Sequence, residues 1–313
     1  MKSCTAFAPS STANLGPGYD VFGLALDALQ DSVKITKLEG KERRITMKMS
    51  NGSDIPAGAE SNSAGLVVIK MAQDFGIKDN LQIDVKKGVP AGYGMGSSAA
   101  SAAAAAVALK ALYRLKIDTN KLVDYAAEGE VASAGAKHYD NVSASVLGGF
   151  VISSMVNGEL RFIRIEPPRN LVLVVAVPAV PVPARKTEVA RRVLPKQVPL
   201  KSAVQNVSGA STVVAGFAIG DVEMIASGID GDAIVEPARK HLIPGYDGVK
   251  EGALAAGALA VTISGAGPSM IAFLKGKKGA KKVAAAMAAE FQTAGLGCRT
   301  FACRPGEGAR VVK

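Results

Sequence analysis

The spacing of apolar residues in the first third of the chain predicts several strands and a helix. Short runs rich in apolar and β-branched residues predict strands at Cys4 to Ala8, Val33 to Leu38, Ile45 to Met49 and Leu81 to Val85. We expect the second and third of these strands to pair as a hairpin. Apolar residues recur at helical spacing from Ser63 to Phe75, so this segment is predicted to be a helix.

The second half of the chain also mixes strands with helices. The continuous apolar run from Leu171 to Val177 predicts a buried strand, and a G-A-G-P turn joins predicted strands at Leu259 to Ser264 and Ser269 to Leu274. Further elements are predicted at Ser202 to Phe217, Ala233 to Leu242, Lys281 to Ala294 and Gly297 to Ala302. Prolines interrupt the pattern near Pro167, so we expect an α+β protein with domains at residues 1–165 and 166–313.

A glycine-rich segment from Gly88 to Lys110 combines a turn with an alanine-rich helix. Glycines alternate from Gly92 to Gly96, and Ser97 and Ser98 follow them. Glycine permits a positive φ and lets a ligand approach the backbone closely, and the start of a helix offers unbonded N–H groups. We therefore predict an anion site, for phosphate in particular, with Ser97 or Ser98 as the helix cap.

Other interpretations of this segment stay open at this point. No Gly-Lys-Ser/Thr follows the glycines, so it is not a Walker A loop. The residues from Gly94 to Ala99 fit G-x-G-x-x-A, a dinucleotide fingerprint, but that fingerprint needs a strand leading straight into the loop, and Lys86 and Pro90 intervene. An alanine-rich helix packed behind a glycine turn, with no ligand, also fits the spacing.

Polar candidates occur in two further segments. Pro9 is expected to end the first strand, and a polar loop is predicted from Ser10 to Asp20. Asp118 or Thr119 can cap a helix that carries Glu130, and His138, Asp140 and Asn141 then fall close together. The last three residues are equally consistent with a structural histidine and a turn.

Composition bounds the class of protein. Of the 313 residues 48% are hydrophobic and 20% charged, which is typical of a globular chain, and no apolar run is long enough for a bilayer span. The net charge of +10 suits anionic ligands, but tryptophan is absent and basic patches lack stacking residues, so we expect neither a nucleic-acid nor a membrane partner. The odd number of cysteines and the lack of a signal-like start predict a cytoplasmic protein.

Three segments in register resemble the motifs of the GHMP kinase family. They are A-P-S-S-T-A-N-L-G-P-G-Y-D-V-F-G-L-A-L from Ala8, P-A-G-Y-G-M-G-S-S-A-A from Pro90, and S-G-A-G-P-S from Ser264. Together they bracket nearly the whole chain. The segments E-x-x-x-x-G-A-K-H-Y-D-N from Glu130 and V-E-P-A-R from Val235 are most similar to the members that phosphorylate L-homoserine.

This sequence departs from the pattern of that branch at two places. Tyr19 stands where phenylalanine is commoner, and Ser143-Ala144-Ser145 replaces an expected Ala-Pro-Ala. The exact substrate therefore stays open at this point.

The resemblance implies a two-domain GHMP kinase fold, with an N-terminal domain like domain 2 of ribosomal protein S5 and a ferredoxin-like C-terminal domain. It implies ATP and Mg²⁺ as cofactors, with Ser98 and Glu130 as metal ligands, and it suggests a homodimer. Residues implied near the nucleotide are Asn62, Lys87, Pro90, Gly92, Gly94, Met95, Gly96, Ser97, Ser98, Gly265 and Gly267. Residues implied around L-homoserine are Asn14, Asp20, His138, Asp140, Asn141, Arg191 and Arg239.

The implied reaction is ATP-dependent phosphorylation of the L-homoserine side-chain hydroxyl, which serves threonine synthesis. Phosphoryl transfer depends on alignment and charge neutralisation, so we expect Asn141, Thr187, Ser98 and Glu130 to be the catalytic residues, with no dedicated base. Two arginines suit a carboxylate through bidentate pairing. The rivals are a mevalonate-type kinase of the same family, a dinucleotide-dependent oxidoreductase, and a non-catalytic nucleotide or RNA-binding module.

Overall fold

The computed structural model describes residues 2–40, 44–51, 56, 58–182 and 186–312, and these form two α+β domains, each built on a β-sheet. The strands are β1 (Ser3–Ala13), β2 (Phe22–Leu38), β3 (Ile45–Met49), β4 (Asn80–Lys86), β5 (Phe150–Val156), β6 (Glu159–Ile165), β7 (Leu171–Pro178), β8 (Ala260–Ile263), β9 (Met270–Lys275), β10 (Cys298–Cys303) and β11 (Arg310–Val311). The helices are α1 (Ser63–Asp74), α2 (Ser97–Tyr113), α3 (Thr119–Ala134), α4 (Asp140–Leu147), α5 (Lys186–Arg192), α6 (Leu200–Ile219), α7 (Val222–Ile229), α8 (Val235–Arg239), α9 (Tyr246–Ala255) and α10 (Ala280–Thr293). The predicted α+β class is confirmed.

The long strand β2 is the centre of the first sheet. Its whole length pairs with β1, its second half pairs with β4, and its first residues pair with β5. Among the described residues the strand order is β11-β1-β2-β4-β3, with β5 and β6 attached to the other end of β2. All these pairs are antiparallel except that of β3 with β4.

The predicted hairpin between Val33 to Leu38 and Ile45 to Met49 is wrong. Strand β4 lies between them, and β3 pairs parallel with β4 at the sheet edge. Leu81, Ile83 and Val85 of β4 are fully or almost fully buried, whereas the residues of β3 alternate between part-buried and exposed. The strand that buries a full apolar face takes the central position, and sequence proximity does not decide the pairing.

Pro9 does not end the first strand, contrary to expectation. The register between β1 and β2 shifts between Pro9 and Ser10, and β1 then continues to Ala13. Proline is tolerated at such a bulge because the ladder is locally interrupted there. The predicted polar loop therefore begins only at Asn14, and β1 delivers Ser10, Ser11 and Thr12 to the interior, where each is fully buried.

Helix α2 is buried among β1, β2, α1, α3 and α4. Its alanines from Ala99 to Ala106, together with Ala108, have no exposed surface. Alanine has the highest helix propensity, and its small side chain lets surrounding elements approach from every side. The alanine-rich composition is thus explained by packing around the whole helix.

The second sheet has the order β10-β7-β9-β8 in the described part of the chain, with every pair antiparallel. Every residue of β7 is buried, as the continuous apolar run predicts. Val172, Val174 and Ala176 face a cluster with α9 and α10, while Leu173 and Val175 face a cluster shared with the first domain. Both faces of this strand are covered, so alternation is lost.

The end of the chain returns to the first domain. After β10, Pro305 bridges to Leu26 and Glu307 bridges to Gly148, and β11 then pairs with β1. The predicted division between residues 165 and 166 falls in the link between β6 and β7. The sequence did not indicate that the last residues of the chain pack back on the first domain.

In the described part of the chain, one apolar cluster contains residues of both domains. Phe150 of β5 stacks on Phe217 of α6 with ring centroids 3.9 Å apart and an interplanar angle of 7°, and Phe22 meets Phe150 edge-on at 5.1 Å. All three rings are buried, with exposed fractions of at most 2%. Because burial of apolar surface is the main favourable term in association, this contact fixes the relative position of the domains.

We predict that Phe217→Ala lowers the free energy of unfolding by about 3–5 kcal/mol, because it leaves a cavity in this shared cluster. The matched control is Phe75→Ala, since Phe75 is 39% exposed and its ring contacts that of Tyr125 at 5.9 Å, outside the interdomain cluster. Urea unfolding followed by circular dichroism measures both. Equal losses for the two variants would contradict the assigned role of the Phe150–Phe217 stack.

Candidate active site

The glycine-rich segment has the conformation that its composition predicts. Gly92, Gly94 and Gly96 have φ values of 82°, 75° and 66°, a region that residues with a Cβ rarely adopt. Gly96 is the N-cap of α2. The loop therefore turns its backbone towards the start of a buried helix, which is the arrangement expected of an anion site.

The three motif segments meet at this loop. A Cβ on Gly96 would lie 2.1 Å from the Ser11 hydroxyl oxygen, and one on Gly94 would lie 2.1 Å from the Ser264 carbonyl oxygen. The Ser264 hydroxyl donates to the carbonyl of Gly94 at 2.8 Å and contacts the Thr12 hydroxyl at 2.9 Å. Segments from the beginning, middle and end of the chain thus pack so closely that only glycine fits between them.

The predicted serine cap of α2 is wrong. Gly96 caps the helix without a side-chain hydrogen bond, and the Ser97 hydroxyl donates instead to the carbonyl of Val89 at 2.9 Å. Ser98 is the second residue of α2, and its hydroxyl donates a hydrogen bond to Glu130. The first N–H groups of α2 are therefore not capped by a serine side chain, which suits an anionic ligand.

A buried ion pair holds the start of α2 against the sheet. Lys87 pairs with Asp31 and also donates to the Ser97 carbonyl at 2.7 Å and the Ser101 hydroxyl at 2.8 Å. Asp31 further accepts the backbone N–H of Gly88 and Val89 at 2.8 and 3.0 Å, and it has no exposed surface. All three ammonium protons of Lys87 are thus used within the protein, so its position at the cavity wall supports the loop.

A cavity of about 430 Å³ opens between the two domains beside this loop. Most of the predicted site residues form its wall. These are Asn14, Asp20, Asn62, Lys87, Gly92, Gly94, Gly96, Ser97, Ser98, Glu130, His138, Asp140, Asn141, Thr187, Arg191, Arg239 and Gly265. The size suits a small-molecule ligand.

Three predicted nucleotide residues do not form part of the wall. Pro90 precedes the lining residue Ala91, and Gly267 follows the lining residue Ala266 in the third motif. The Met95 side chain is fully buried in the interdomain cluster, and its carbonyl accepts the N–H of Ser11 at 3.1 Å. Met95 thus packs the loop from behind.

Asn14 connects the first motif with the third. Its amide nitrogen donates to the Gly265 carbonyl at 2.8 Å, and its oxygen accepts the N–H of Asp20 at 3.1 Å. Asn14 and Asp20 have positive φ values of 72° and 57°, which are costly for residues other than glycine. Asp20, at the end of this turn, lines the cavity.

Asn141 is held in place by the first strand. Its side-chain oxygen accepts a hydrogen bond from the Ser11 hydroxyl at 3.0 Å.

Asn62 caps α1 by accepting the N–H of Ala64 at 3.0 Å, and it donates to the carbonyl of Pro56 at 2.8 Å. The amide of Asn141 is therefore oriented by a partner, while that of Asn62 is engaged at the helix start.

Two buried carboxyl groups face the cavity. Burial raises the pKa of Glu130 to about 7, an effect that the hydrogen bond from Ser98 partly offsets. Burial likewise raises the pKa of Asp140 to about 6, although Asp140 accepts the N–H of Asn141 at 2.7 Å. Both groups would gain from a cationic ligand, because positive charge nearby favours the ionised form.

Two arginines close the other side of the cavity, and Tyr19 lies between them. Arg191 donates to both oxygens of Asp20 at 2.9 Å and to the Tyr19 hydroxyl at 2.7 Å. Arg239 is 4% exposed and donates to the carbonyl of Ala190 at 2.9 Å. Both guanidinium groups lie over the Tyr19 ring, at 5.5 and 5.0 Å from its centre.

Sequence reasoning missed several residues of this site. Asp31 falls at period-two spacing before Val33 and Ile35, so strand alternation places this carboxylate on the buried face, which signals a buried partner. Tyr19 orients the two arginines, and Lys186 lines the cavity next to Thr187. No local pattern marks Lys186, because its position depends on how the second domain packs on the first.

Comparison with known proteins agrees with this geometry. Residues 62–149 match the model of the GHMP kinases N terminal domain, and residues 213–293 match that of the GHMP kinases C terminal. The chain belongs to the GHMP kinase family. The predicted resemblance is confirmed.

Individual relatives extend the match over the whole chain. It is 38% identical to a homoserine kinase of Thermoplasma volcanium over 98% of this chain and 96% of the relative. It is 40% identical to a homoserine kinase of Aeropyrum pernix over 98% of this chain and 97% of the relative. A solved homoserine kinase of Cytophaga hutchinsonii has a TM-score of 0.92 and 35% identity, covering 100% of this chain and 98% of that one.

More distant GHMP kinases share only the fold. A solved mevalonate kinase of L. major has a TM-score of 0.71 at 15% identity and covers 96% of each chain. The dinucleotide interpretation of Gly94 to Ala99 is wrong, because β4 ends at Lys86 and residues 87–96 separate it from α2, so no strand leads straight into the loop. No helix in the described part of the chain is both long and apolar enough to cross a membrane.

We predict that Asp140→Asn stabilises the protein at pH 8 and that the gain disappears as the pH falls. The folded-state pKa of Asp140 lies above its ordinary value, so ionisation costs stability above about pH 6, and the cost vanishes below the ordinary pKa of an aspartate. The expected gain at pH 8 is up to about 3 kcal/mol.

Urea unfolding at pH 8, 6 and 4.5 measures this effect. The control is Asp247→Asn, since the Asp247 side chain is 68% exposed on α9. A gain that is the same at every pH, or a loss of stability at pH 8, would contradict the assignment of Asp140 as a buried charge.

Proposed function

We propose that this protein transfers the γ-phosphoryl group of ATP to the side-chain hydroxyl of L-homoserine. One observation carries the proposal most strongly. A single cavity contains a glycine loop at a helix start together with an acidic pair, Asp20 and Asp140, and a basic pair, Arg191 and Arg239. A phosphate group suits the glycine loop, and a zwitterionic amino-acid alcohol carries the charges that pair with the two carboxylates and the two arginines. The nearly full-length likeness to homoserine kinases supports the same conclusion.

The glycine loop provides the nucleotide end of the cavity. Its positive-φ residues and the uncapped start of α2 present backbone N–H groups, which bind phosphate oxygens and neutralise their charge. Lys87 and Asp31 hold this loop rigid from behind. Phosphoryl transfer needs such a preorganised, charged environment more than covalent help.

The residues present fit a Mg²⁺ ion. The carboxylate of Glu130 and the hydroxyl of Ser98 are hard oxygen donors that bond to each other beside the phosphate loop. Mg²⁺ is usually held by one or two protein carboxylates together with substrate phosphates. Bound there, the ion would supply charge neutralisation on the phosphates.

The opposite end of the cavity suits the amino acid. In the structure Arg191 pairs with Asp20, and its Nε, which is buried, has no hydrogen-bond partner among the described residues. A bound zwitterion can separate this pair, with its carboxylate on Arg191 and Arg239 and its ammonium on Asp20 and Asp140. Charge-assisted bonds on both sides offset the cost of removing the substrate charges from water.

Alignment of the hydroxyl is assigned to Asn141 and Thr187. Asn141 is fixed by Ser11, and Thr187 approaches from the second domain. A threonine hydroxyl does not accept a proton at neutral pH. We therefore infer catalysis by positioning and charge neutralisation, without a dedicated base.

The wider assignments belong to the same proposal. The product, O-phospho-L-homoserine, would serve threonine synthesis, and a homodimer and a cytoplasmic location stay predictions. The three cysteines, Cys4, Cys298 and Cys303, are free, which suits a reducing compartment. A mevalonate-type substrate fits less well, because it has no ammonium group for Asp20 and Asp140.

A substrate panel tests the proposed reaction. ADP release is measured with ATP, excess Mg²⁺ and, in turn, L-homoserine, mevalonate and 3-amino-1-propanol. We expect turnover with L-homoserine to exceed that with either other alcohol by at least about a hundredfold, since each lacks a charge that the wall pairs. Faster turnover of mevalonate, or no ADP release with L-homoserine, would overturn the proposal.

We predict that Arg191→Ala and Arg239→Ala each raise the KM for L-homoserine while leaving the KM for ATP almost unchanged. Loss of a charge-assisted contact costs about 1.5–3 kcal/mol, which is roughly tenfold to a hundredfold in affinity. Lysine replacements should rescue only in part, because a point charge does not reproduce the guanidinium fork.

Arg192→Ala is the matched control for this experiment. Arg192 follows Arg191 on the same short helix, but its side chain is 74% exposed and pairs with Glu188. Steady-state kinetics with each substrate varied in turn gives the readout. A raised KM for ATP, or equal losses on L-homoserine and 3-amino-1-propanol, would place the two arginines elsewhere than on the carboxylate.

A further inference from the structure

Lys186 lies in the cavity wall but has no part in the arrangement described so far. It is the first residue of α5, next to Thr187, and its ammonium donates a hydrogen bond to the carbonyl of Gly267. An ammonium group has three donor protons, and Gly267 uses one.

The carbonyl that anchors Lys186 also touches the glycine loop. A Cβ on Gly94 would lie 2.8 Å from the Gly267 carbonyl oxygen, so this oxygen packs directly against Gly94. The chain before α5 is held on the same loop, because the Tyr93 hydroxyl donates to the Val180 carbonyl at 3.1 Å and Val182 packs on Gly92. The Lys186 ammonium is therefore held beside the predicted phosphate loop, on the side of the second domain.

In the described part of the chain, the Lys186 ammonium, like the Arg239 guanidinium, forms no ion pair with a carboxylate. Lys87 pairs with Asp31, and Arg191 pairs with Asp20. Among the described residues no carboxylate lies within ion-pair distance of Lys186, and the charge that acts on it is the positive charge of Arg239. Burial, together with Arg239, lowers the pKa of Lys186 to about 7. Such a group gains from a bound anion, which restores its charge and balances it.

We propose that Lys186 is a further catalytic residue that binds the γ-phosphoryl group of ATP and stabilises its charge during transfer. The proposal rests on the proposed kinase function. In the step, the substrate hydroxyl oxygen forms a bond with the γ-phosphorus while the bond to the bridging oxygen breaks and leaves its electron pair on ADP. The hydroxyl proton leaves to water, and Lys186 keeps its own protons throughout.

A cationic side chain that contacts the γ-phosphoryl group stabilises the negative charge on its oxygens while the bond to the bridging oxygen of ADP breaks. The glycine loop and α2 approach the phosphates from the first domain, and Lys186 approaches from the second. Preorganised donors on such a group contribute about a hundredfold or more to turnover in other enzymes. The contribution depends on the positive charge of Lys186, so an arginine should replace it in part.

The test compares two nucleotides that differ in the γ-phosphate. Binding of ADP and of the ATP analogue AMPPNP, each with excess Mg²⁺, is measured by calorimetry for the wild type and for Lys186→Met. We expect the affinity for AMPPNP to fall at least tenfold and that for ADP to stay within twofold. Equal losses on both nucleotides, or no loss on either, would overturn the proposal, because a scaffold role moves both together.

Kinetics provides the second readout. We expect Lys186→Met to lower kcat with L-homoserine by about a hundredfold with its KM within threefold, and Lys186→Arg to recover at least tenfold of that loss. Equal activity of the two variants would show that charge is not what Lys186 contributes. Lys196→Met, at an exposed position outside the cavity, is the control and should match the wild type.

Two features keep the outcomes separable. Circular dichroism checks that each variant is folded, and Lys186→Gln takes the place of Lys186→Met if the latter is not. If the wild type does not phosphorylate L-homoserine, the proposed function fails, while the comparison of AMPPNP with ADP still decides the role of Lys186, since it needs no alcohol.

Discussion

The close approach of three chain segments at the N-terminus of α2 is the constraint on which the rest of the structure depends. Gly94 and Gly96 lie so near Ser264 and Ser11 that a Cβ on either glycine would overlap the neighbouring oxygen at 2.1 Å. The segments come from both domains, so the glycine loop is in contact with the second domain as well as the first. The buried stack of Phe150 on Phe217 holds the two domains together. A large apolar contact thus supports a small polar site.

The cavity between the domains holds charges that the fold alone does not balance. Burial raises the pKa of Glu130 to about 7 and of Asp140 to about 6, and it lowers that of Lys186 to about 7. Each of these shifts is a cost to the folded state that a ligand of opposite charge can relieve. By contrast, Asp31 and Lys87 balance each other and fix the loop. Buried ionisable groups with shifted pKa values thus line the cavity, while the Lys87–Asp31 pair lies behind the glycine loop.

Local chemistry explains which elements were predicted well. The run from Leu171 to Val177 is a buried strand because both faces are covered, and Asp118 caps α3 by accepting the N–H of Lys121 at 2.9 Å. The hairpin of β3 and the serine cap of α2 were wrong because in each case a partner outside the local pattern offered a better contact. Strand β4 displaced β3 from β2, and the Val89 carbonyl drew the Ser97 hydroxyl away from the helix.

The sequence by itself determined the α+β class and the glycine loop, because these depend on neighbouring residues and on recurring local patterns. Most residues around the cavity were implied by the resemblance of three segments to the motifs of the GHMP kinase family. Only the tertiary structure decided which charges meet. Lys87 and Asp31 are 56 residues apart, Lys186 and Gly267 are 81 apart, and Arg191 and Asp20 are 171 apart. The partner of a charged side chain at such separations is set by how sheets and domains pack, since backbone propensity acts only over a few residues.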